Sequence, residues 1–544
     1  MDAGEGTEWR AAWPSRLATA VTAVIVAVPM VAGAIGRARE RWVPDLDDAA
    51  ITHRVQRVLQ LHPTLVGMPS TLQGDVIGPS LTTNHPGPLL FWLLAPAYAL
   101  TGQAGIGIAI GAAIVNLVAA VTAVVFAHRR RGPALAAVVG IGLLLLERSL
   151  STDLLASPFN PYLSIIPLLC LVVLTWSVAA GDRAGYVPFV LAASLVAQAH
   201  LSGVIPAAAL FVVGAAGALV AEGVVPEPHR PLLRRPARPR RGRHLGAAGA
   251  VLGLVWLPVL VDEAFGSHNL SHLWSATHGR GAPVGWSFAA TAVGRALGLP
   301  AAFAMGQHRG TAYAIALPTA SVVLALVVIA AALAWAAHRR WWGELGFVGA
   351  ALVALLCCAV QTSRLPASTI DPSPFAFTVW HVRYWMLPLG AAAWSGVAWI
   401  GARSVAMVAR PRLRAVSAWV AVAPVACLLV AVVLPARPAV WRAGERQQSA
   451  IVRHLADQAA HHLRHDRTYL AQVTVYDAST FGGVMAELWS RGFHLVVPQD
   501  TAYYWGPGSR CRAAAVDGVL QFRSGAAVTN PVGRGSQQIA RTQG

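Results

Sequence analysis

The chain has 544 residues, of which 56% are hydrophobic and only 12% are charged, and its mean hydropathy is +0.54. A water-soluble protein of this length needs far more charge to cover its surface, so the composition excludes that class. Apolar runs of about 20 residues recur along most of the chain, and each can cross a hydrocarbon layer roughly 30 Å thick. The sequence therefore predicts a membrane protein with many spans, and the first apolar run is not followed by a signal-peptide cleavage site.

The formal charge of +18 comes from 42 basic residues that are all arginine, because the sequence contains no lysine. Fifteen of these arginines lie in four clusters in short hydrophilic breaks, which is typical of cytoplasmic loops near anionic lipid headgroups. This placement excludes a nucleic-acid surface as the reason for the charge, and no nucleic-acid partner is predicted. The four clusters are HRRRG at 128–132, RPLLRRPARPRRGRH at 230–244, HRRWW at 338–342 and RPRLR at 410–414.

With the arginine clusters placed in the cytoplasm, the first apolar run, 17–36, leads outward from a cytoplasmic N-terminus. A long first outer loop, 37–103, follows, and its apolar stretch 88–102 is too short to span, so we expect an interfacial helix there. The outer loop after residue 262 contains a second such stretch, 286–304, which is either embedded or an additional span. The remaining runs alternate in direction: 104–127, 133–148, 162–180, 185–199, 203–221, 245–261, 311–337, 343–361, 384–402 and 415–434.

This threading predicts an all-α polytopic membrane domain over residues 1–434, with about eleven transmembrane helices, in the inner (plasma) membrane of a cell. The tail, 435–544, differs in kind and is placed outside. Its amphipathic start, 445–466, predicts a helix, and a β–α–β pattern follows at 468–477, 481–492 and 493–500. A small extracytoplasmic α/β domain is expected, with a frayed last twenty residues.

Unusual polar residues gather on the outer side of this threading. Three carboxylates, Asp45, Asp47 and Asp48, follow the first span directly, and His85 sits in a His-Pro-Gly-Pro turn before the short apolar helix. Ionisable groups near the hydrocarbon are costly, so they are candidates for function. The other members of this set are Asn160, His200, Asp262, Glu263, His268, Asn269, His381 and Arg383.

Several of these residues also have a plain structural interpretation. Asp45 is expected to solvate a loop, and Asp48 to cap a helix that starts near Ala49. His200 fits a hydrogen-bonded histidine at a helix end. Arg383, flanked by tryptophan and tyrosine, fits an interfacial aromatic belt as well as a functional role.

Two stretches carry a family resemblance. DLDDAAITHRVQRV, residues 45–58, resembles the acidic first-loop motif of the GT-C superfamily of integral membrane glycosyltransferases. HPGPLLFWLLAPAYALTG, residues 85–102, is similar to the turn and helix of the protein O-mannosyltransferases and lipid A aminoarabinose transferases. The chain carries Gly87 where those relatives have proline, and Asp47-Asp48 where several have Asp-Glu, so the subfamily and the sugar stay open.

The resemblance implies transfer of a sugar from a polyprenyl-phosphate donor in the membrane lipid to an extracytoplasmic glycan, lipid or protein. It implies catalytic carboxylates at Asp47, the expected base, and Asp48, with Glu263 as another choice of base. His85 and Arg383 are expected at the donor phosphate, and a divalent cation, Mg²⁺ or Mn²⁺, is allowed. The remaining substrate-binding candidates are Asn160, His200, Asp262 and Asn269, together with Glu263.

Two other classes remain open from the sequence. A transporter or lipid flippase would be expected to show discontinuous helices or internal repeats with charges near the membrane centre. A sensor or scaffold with an exported domain would not need the acids of the first loop.

Overall fold

In the described part of the computed structural model, eight helical stretches are long and apolar enough to cross a membrane. The structure describes residues 3–70, 83–223, 241–277, 282–305, 319–365, 377–408, 440–473, 478–499, 501–506, 509–511 and 516–523. The eight stretches fall in α1 (Ala3–Arg39), α4 (Ile106–Arg131), α5 (Pro133–Leu155), α6 with α7 (Asn160–Leu163 and Ile165–Ala179), α9 (Val204–Ala221), α10 (Arg241–Phe265), α14 (Thr319–His338) and α15 (Trp342–Ser363). The fold is therefore that of a multi-pass helical membrane protein, as the composition predicts.

Two further helices pack within this bundle, and shorter ones lie at its end or enter it part-way. The first two are α8 (Tyr186–Ala199) and α16 (Phe377–Val408). The expected span at 415–434 lies outside the described residues, so ten of the eleven predicted spans correspond to described helices. The shorter helices are α2 (Leu46–Leu59), α3 (Leu89–Leu100), α11 (Asn269–Thr277), α12 (Gly285–Leu297) and α13 (Ala302–Met305).

The bundle has two chemically different ends. At the end where α4 finishes, arginines pair with acids that follow or begin neighbouring helices, and we call this the arginine end. The other end, where α1, α8 and α10 finish, holds the carboxylates and histidines, and we call it the acid–histidine end. The arginine-end pairs are Arg129–Asp182 at 2.7 Å, Arg183–Glu222 at 2.6 Å, Arg131–Glu344 at 3.0 Å and Arg403–Glu344.

Contacts between neighbours fix the helix directions. Thr19, early in α1, lies 2.7 Å from the His128 ring at the end of α4, so these helices are antiparallel. The last turn of α1 meets the end of α5, where Arg37 donates to the Asp153 carbonyl oxygen at 3.4 Å. The alternation that was predicted from the arginine clusters matches the order of these directions.

The segment predicted as embedded or spanning at 286–304 enters the bundle and returns. Helix α12 starts at the acid–histidine end, where the Val284 N–H donates to the Leu365 carbonyl. It ends half-way along α16, where the Trp394 indole donates to the Leu297 carbonyl at 3.0 Å. Helix α13 then packs back near the outer part of α5, where the Ser149 hydroxyl donates to the Phe303 carbonyl. The embedded alternative is the one observed, and the orientation of later helices is unchanged by it.

The tail folds into a small α/β domain around a parallel sheet. Helix α17 (Val440–Ala460) precedes β1 (Thr468–Val473), α18 (Ala478–Ser490), β2 (His494–Val496), α19 (Ala502–Trp505) and β3 (Gly518–Phe522). The strand order is β2-β1-β3, and both pairings are parallel. The β–α–β unit was predicted, whereas β3 was not. The last twenty residues lie outside the described part.

The tail and the first outer loop share one hydrophobic core. Buried residues of α2 and α3, such as Ile51 and Phe91, belong to the same apolar cluster as Val452, Met485 and Trp505 of the tail. Helix α3 in turn packs on α2 and α4, with both of its ends at the acid–histidine end. By packing, α2 therefore belongs to the tail domain, although in sequence it is part of the membrane domain.

Candidate active site

The acidic motif opens helix α2. The helix begins at Leu46, with Asp45 at its N-cap position but without a side-chain capping bond. Asp47 and Asp48 both lie in its first turn. The expectation that Asp48 caps a helix from Ala49 is therefore wrong, because the helix starts three residues earlier, at Leu46, and Asp48 lies inside its first turn.

Asp47 is held by a residue of the tail. The Tyr504 hydroxyl donates to Asp47 Oδ1 at 2.7 Å, and Ser479, also in the tail, donates to Asp45 Oδ2 at 2.5 Å. Burial raises the pKa of Asp47, while the Tyr504 hydrogen bond and the charge of Arg54 oppose that rise. A carboxylate with a raised pKa and an oriented oxygen is well suited to accept a proton.

Arg54 lies two helical turns after Asp47 in α2, and it is only 2% exposed. Its Nη1 donates to the Tyr504 carbonyl oxygen at 2.7 Å, so the same tyrosine is fixed by backbone and hydroxyl. Burial lowers the pKa of Arg54 to about 10, which still leaves it charged near neutral pH. Arg54 therefore supplies a permanent positive charge beside Asp47.

Asp48 lies beside a second buried guanidinium. Its Oδ1 is buried and has no hydrogen-bond partner within the described ranges. Burial raises the pKa of Asp48 well above its usual range, and the charge of Arg37 opposes this. Arg37 stacks on Trp42 at 4.2 Å, and its Nε and Nη1 also lack partners among the residues described.

His85 is fixed by the backbone on both sides. Its N–H donates to the Met68 carbonyl at 2.7 Å, and its carbonyl accepts from the Gly67 N–H at 3.0 Å. Its Nδ1 accepts the Leu201 N–H at 3.2 Å. Because Nδ1 is an acceptor, the proton of the neutral ring is on Nε2.

Gln198 explains why residue 87 is glycine. The Gly87 N–H donates to the Gln198 carbonyl, and the Leu89 N–H donates to Gln198 Oε1 at 3.2 Å. The Gln198 amide group in turn donates to the Val255 carbonyl at 2.8 Å. A Cβ on residue 87 would lie 2.3 Å from Gln198 Oε1, so the proline of the relatives does not fit here.

His200 is paired with His85, their ring centroids 4.4 Å apart. Its Nδ1 accepts the Ser202 N–H at 3.2 Å, and its ring lies 5.6 Å from that of Trp385. Asn160 donates to the Ala199 carbonyl at 2.8 Å and so fixes the end of α8. The structure thus brings His85, His200 and Asn160 together, with His200 as a hydrogen-bonded helix-end residue.

Asp262, Glu263 and Asn269 hold their own loop. Both Asp262 oxygens accept from the Ser267 hydroxyl at 2.9 Å, and Asp262 Oδ2 also accepts the Asn269 N–H at 3.2 Å. Glu263 accepts the Leu270 N–H at 2.8 Å at the start of α11. The Asn269 side chain exchanges two hydrogen bonds with the Asn84 backbone, at 2.8 and 3.0 Å. These contacts place the loop against the His85 turn and occupy the Glu263 carboxylate.

Arg383 lies near the start of α16, but its side chain, like that of His381, is outside the described part of the structure. The next two residues, Tyr384 and Trp385, are buried. Tyr384 packs on Tyr162 at 5.4 Å. The backbone of residue 383 is therefore one helical turn or less from the His200 contact.

The described donor groups do not fit a metal site. Within these ranges, no three histidine, cysteine or acidic side chains converge. Asp45 and Asp47 already accept tail hydroxyls, and Arg37 and Arg54 place positive charge beside the carboxylates where a cation would sit. The described side chains therefore do not support the Mg²⁺ or Mn²⁺ that the sequence resemblance allows.

The site contains residues that the sequence analysis missed. Arg54 stands within the acidic motif and offered a signal as a cation on an apolar helix face. Gln198 lies two residues before His200, which the sequence analysis did name. Tyr504 and Arg37 offered no signal in the sequence, because they come close to Asp47 and Asp48 only in the folded chain.

Comparison with known proteins finds likeness in the solved structures alone. No protein-family model and no curated protein sequence matches the chain. Its fold is similar to a crystal structure of ArnT from Cupriavidus metallidurans bound to undecaprenyl phosphate, with 14% identity over 88% of this chain and 87% of that one, and a TM-score of 0.46. It is also similar to the Archaeoglobus fulgidus oligosaccharyltransferase in complex with Zn and sulfate, with 11% identity over 86% of this chain and 62% of that one, and a TM-score of 0.36.

Proposed function

We propose that this protein is a membrane glycosyltransferase that moves a sugar from a polyprenyl-phosphate donor to an acceptor at the acid–histidine end. One observation carries the proposal: Asp47 is a carboxylate with a raised pKa, placed by Tyr504 beside the charged Arg54 at the mouth of an apolar bundle. An apolar bundle suits a lipid-linked substrate, and ionisable groups at its mouth suit chemistry on that substrate's headgroup.

The chemistry proposed for Asp47 is general base catalysis. Asp47 takes the proton of the acceptor hydroxyl as the acceptor oxygen bonds to the anomeric carbon. The bond from that carbon to the phosphate oxygen breaks, and its electron pair leaves with the polyprenyl phosphate. Stabilising the developing anion requires donors, which is the role proposed for His85 Nε2 and for Arg383. The proposed acceptor is an envelope glycan, lipid or protein outside the cytoplasm.

Purified protein in lipid nanodiscs, supplied with polyprenyl-phosphate sugars, tests the proposal through release of polyprenyl phosphate in a single turnover. Asp47→Asn keeps the hydrogen bond from Tyr504 but cannot accept the proton, so the rate should fall about a hundred to ten thousand-fold. Asp45→Asn is the matched control, because it sits on the same turn and also faces the tail, and it should stay near wild type.

Two results would change the assignment. An active Asp47→Asn beside an inactive Asp48→Asn would move the base to the neighbouring carboxylate. Release of carrier phosphate that persists in both variants would remove the base from this acidic pair, and a wild-type protein that releases none would remove the glycosyltransferase proposal itself.

One observation favours the transporter alternative. Glu147 is buried within the α5 span, 1% exposed, and neither of its oxygens has a partner in the described part of the chain. A lone carboxyl at membrane depth is typical of ion or proton pathways. Substrate movement into proteoliposomes that depends on Glu147 and not on Asp47 would support that function instead.

A further inference from the structure

The tail domain contacts the acidic helix α2 from its N-terminal end to Gln56. At the start, Ser479 and Tyr504 donate to Asp45 and Asp47. In the middle, the His53 ring stacks on the Trp489 ring at 4.0 Å, and the Gln56 side chain donates to the Trp489 carbonyl at 3.1 Å. The tail is thus more than an appended domain, because the Tyr504 side chain reaches Asp47, the carboxylate proposed to do the chemistry.

The backbone between the two tail hydrogen bonds is unusual. Leu46 has φ +44°, in the left-handed region that leucine rarely adopts. A Cβ on Gly482 of α18 would lie 3.2 Å from the Leu46 nitrogen, so the tail helix approaches this residue closely. Strained backbone at a candidate site persists only where its surroundings hold it. Here the surroundings are supplied by the tail.

We propose that Tyr504 is a positioning residue for Asp47, so that the tail domain completes the catalytic site of the membrane domain. The inference rests on the proposed function and goes beyond it by assigning a role to the tail. Tyr504 does not touch the reacting atoms. It orients one carboxylate oxygen, Oδ1, and leaves Oδ2 for the acceptor hydroxyl.

Tyr504 is itself held in place on two sides. Its carbonyl accepts from Arg54 Nη1 at 2.7 Å, and its ring packs edge-on against Trp505 at 5.2 Å. The short helix α19 is followed by Gly506, which has a φ of +107°. The Gly506 N–H donates to the Ala502 carbonyl and so closes the last turn. The hydroxyl therefore has a fixed position relative to α2.

The same hydrogen bond also affects the pKa of Asp47, which burial raises and the bond lowers. The groups that face Asp47 are Tyr504 from α19, and Arg54, Asp45 and Asp48 from α2. Donation from the Tyr504 hydroxyl stabilises the charged carboxylate and so lowers the pKa of Asp47 against the effect of burial. Removing that hydroxyl should raise the pKa, and the acid limb of the rate profile should move to higher pH.

The experiment compares Tyr504→Phe with Ser479→Ala in the full-length protein in nanodiscs. Phenylalanine keeps the ring against Trp505 and removes only the donor, while Ser479→Ala removes the matching tail hydrogen bond to Asp45. Tyr504→Phe should lower kcat about 10- to 100-fold with KM little changed, because a misplaced base loses alignment. Its acid limb should shift upward, and Ser479→Ala should leave both the rate and the profile near wild type.

A double-mutant cycle separates positioning from packing. If Tyr504 acts through Asp47, then Tyr504→Phe should cause no further loss in an Asp47→Asn background. Additive losses, an unshifted acid limb, or equal effects of Tyr504→Phe and Ser479→Ala would overturn the proposal.

A second readout does not depend on sugar transfer. Carbodiimide labels protonated carboxyls, so tandem mass spectrometry that assigns the label to Asp47, apart from Asp45 and Asp48 of the same peptide, reports its protonation against pH. Labelling in Tyr504→Phe should persist to higher pH than in wild type, and identical labelling curves would overturn the positioning role. A wild-type protein that releases no carrier phosphate, yet shows this shift, would reject the proposed function and keep the contact.

Discussion

His53 is a buried histidine between the acidic motif and the tail. Its ring is stacked on Trp489, and neither nitrogen has a hydrogen-bond partner in the part of the chain that is described. Burial, helped by the charges of Arg54 and Arg57, lowers the pKa of His53 to about 3. The ring is therefore neutral in the folded protein near neutral pH.

This pKa predicts an acid-sensitive tail. Unfolded histidine has a pKa near 6.5, so between about pH 6.5 and 3 the unfolded state binds a proton that the folded state does not. Stability is then fully present above pH 6.5 and falls with decreasing pH, by about 1.4 kcal/mol per unit, or about 2 kcal/mol at pH 5. His53→Phe should remove most of this slope while keeping the stacked ring.

Tryptophan fluorescence of thermal unfolding at pH 7 and pH 5 measures the effect. His461→Gln, an exposed histidine of the tail, is the control and should keep the wild-type slope. A His53→Phe protein as acid-sensitive as wild type would show that other groups set the pH dependence.

At the residue scale, the sequence draws attention only to groups whose unusual setting is local in the chain. The acids after the first span and the histidine in its Pro-Gly turn stood out from the sequence, and the structure places them at one end of the bundle. The partner of Asp47 did not stand out, because Tyr504 is 457 residues away and nothing in its own segment marks it. Long-range hydrogen bonds of this kind depend on how the tail docks, which periodicity does not reveal.

At the scale of single elements, the His-Pro-Gly-Pro turn and α3 depend on α8. Gln198 is fully buried and bonds both sides of the turn, through the Gly87 and Leu89 N–H groups. Gly87→Ala should push its Cβ into Gln198 and into Val259, which would lie 2.7 Å away. Such overpacking typically costs about 1–3 kcal/mol, and it should displace His85 and weaken donor binding.

Thermal unfolding and binding of a fluorescent polyprenyl phosphate measure the two effects. Gly349→Ala is the control, because a Cβ there meets no atom within 4 Å, and helical alanine should be neutral or slightly stabilising. A Gly87→Ala protein with wild-type stability and wild-type donor affinity would show that the turn is not constrained in this way.

Some helices and strands were predicted from the sequence, and others were missed or misplaced. Helical spans follow from apolar runs, and β1, α18 and β2 follow from alternating patterns in a short stretch. Strand β3 was missed, since its five residues carry a glycine and a glutamine, and it pairs with β1 across nearly 50 residues. The start of α2 was misplaced because Leu46 adopts an unexpected left-handed backbone.

The described part of the molecule has two large hydrophobic cores, with the ion pairs at one end of the bundle and the carboxylates and histidines at the other. One core fills the bundle, and the other joins the tail to α2 and α3. The ion pairs Arg129–Asp182, Arg183–Glu222 and Arg131–Glu344–Arg403 lie at one end, opposite the carboxylates and histidines. Since each ion pair ties neighbouring helices at their ends, the same residues that indicate orientation also hold the bundle together.

Orientation in the membrane follows from this difference between the two ends of the bundle. Arginine-rich loops are retained in the cytoplasm, so we predict that the loop joining α9 and α10, which links two helices at the arginine end, is cytoplasmic. The tail, at the opposite end, should then be outside. Cys511 lies in the tail and is partly exposed, so it is a native reporter, and Ala237→Cys supplies one in the loop.

Intact cells treated with a membrane-impermeant maleimide should label Cys511 and spare residue 237, as read by mass spectrometry of the two peptides. Permeabilised cells are the control, in which both peptides should be labelled. Buried Cys170 and Cys358 should react in neither condition, which checks that the fold is intact. Labelling of residue 237 in intact cells, with Cys511 protected, would invert the protein in the membrane. The carboxylates and histidines would then face the cytoplasm, and an extracytoplasmic acceptor would no longer be within reach of Asp47.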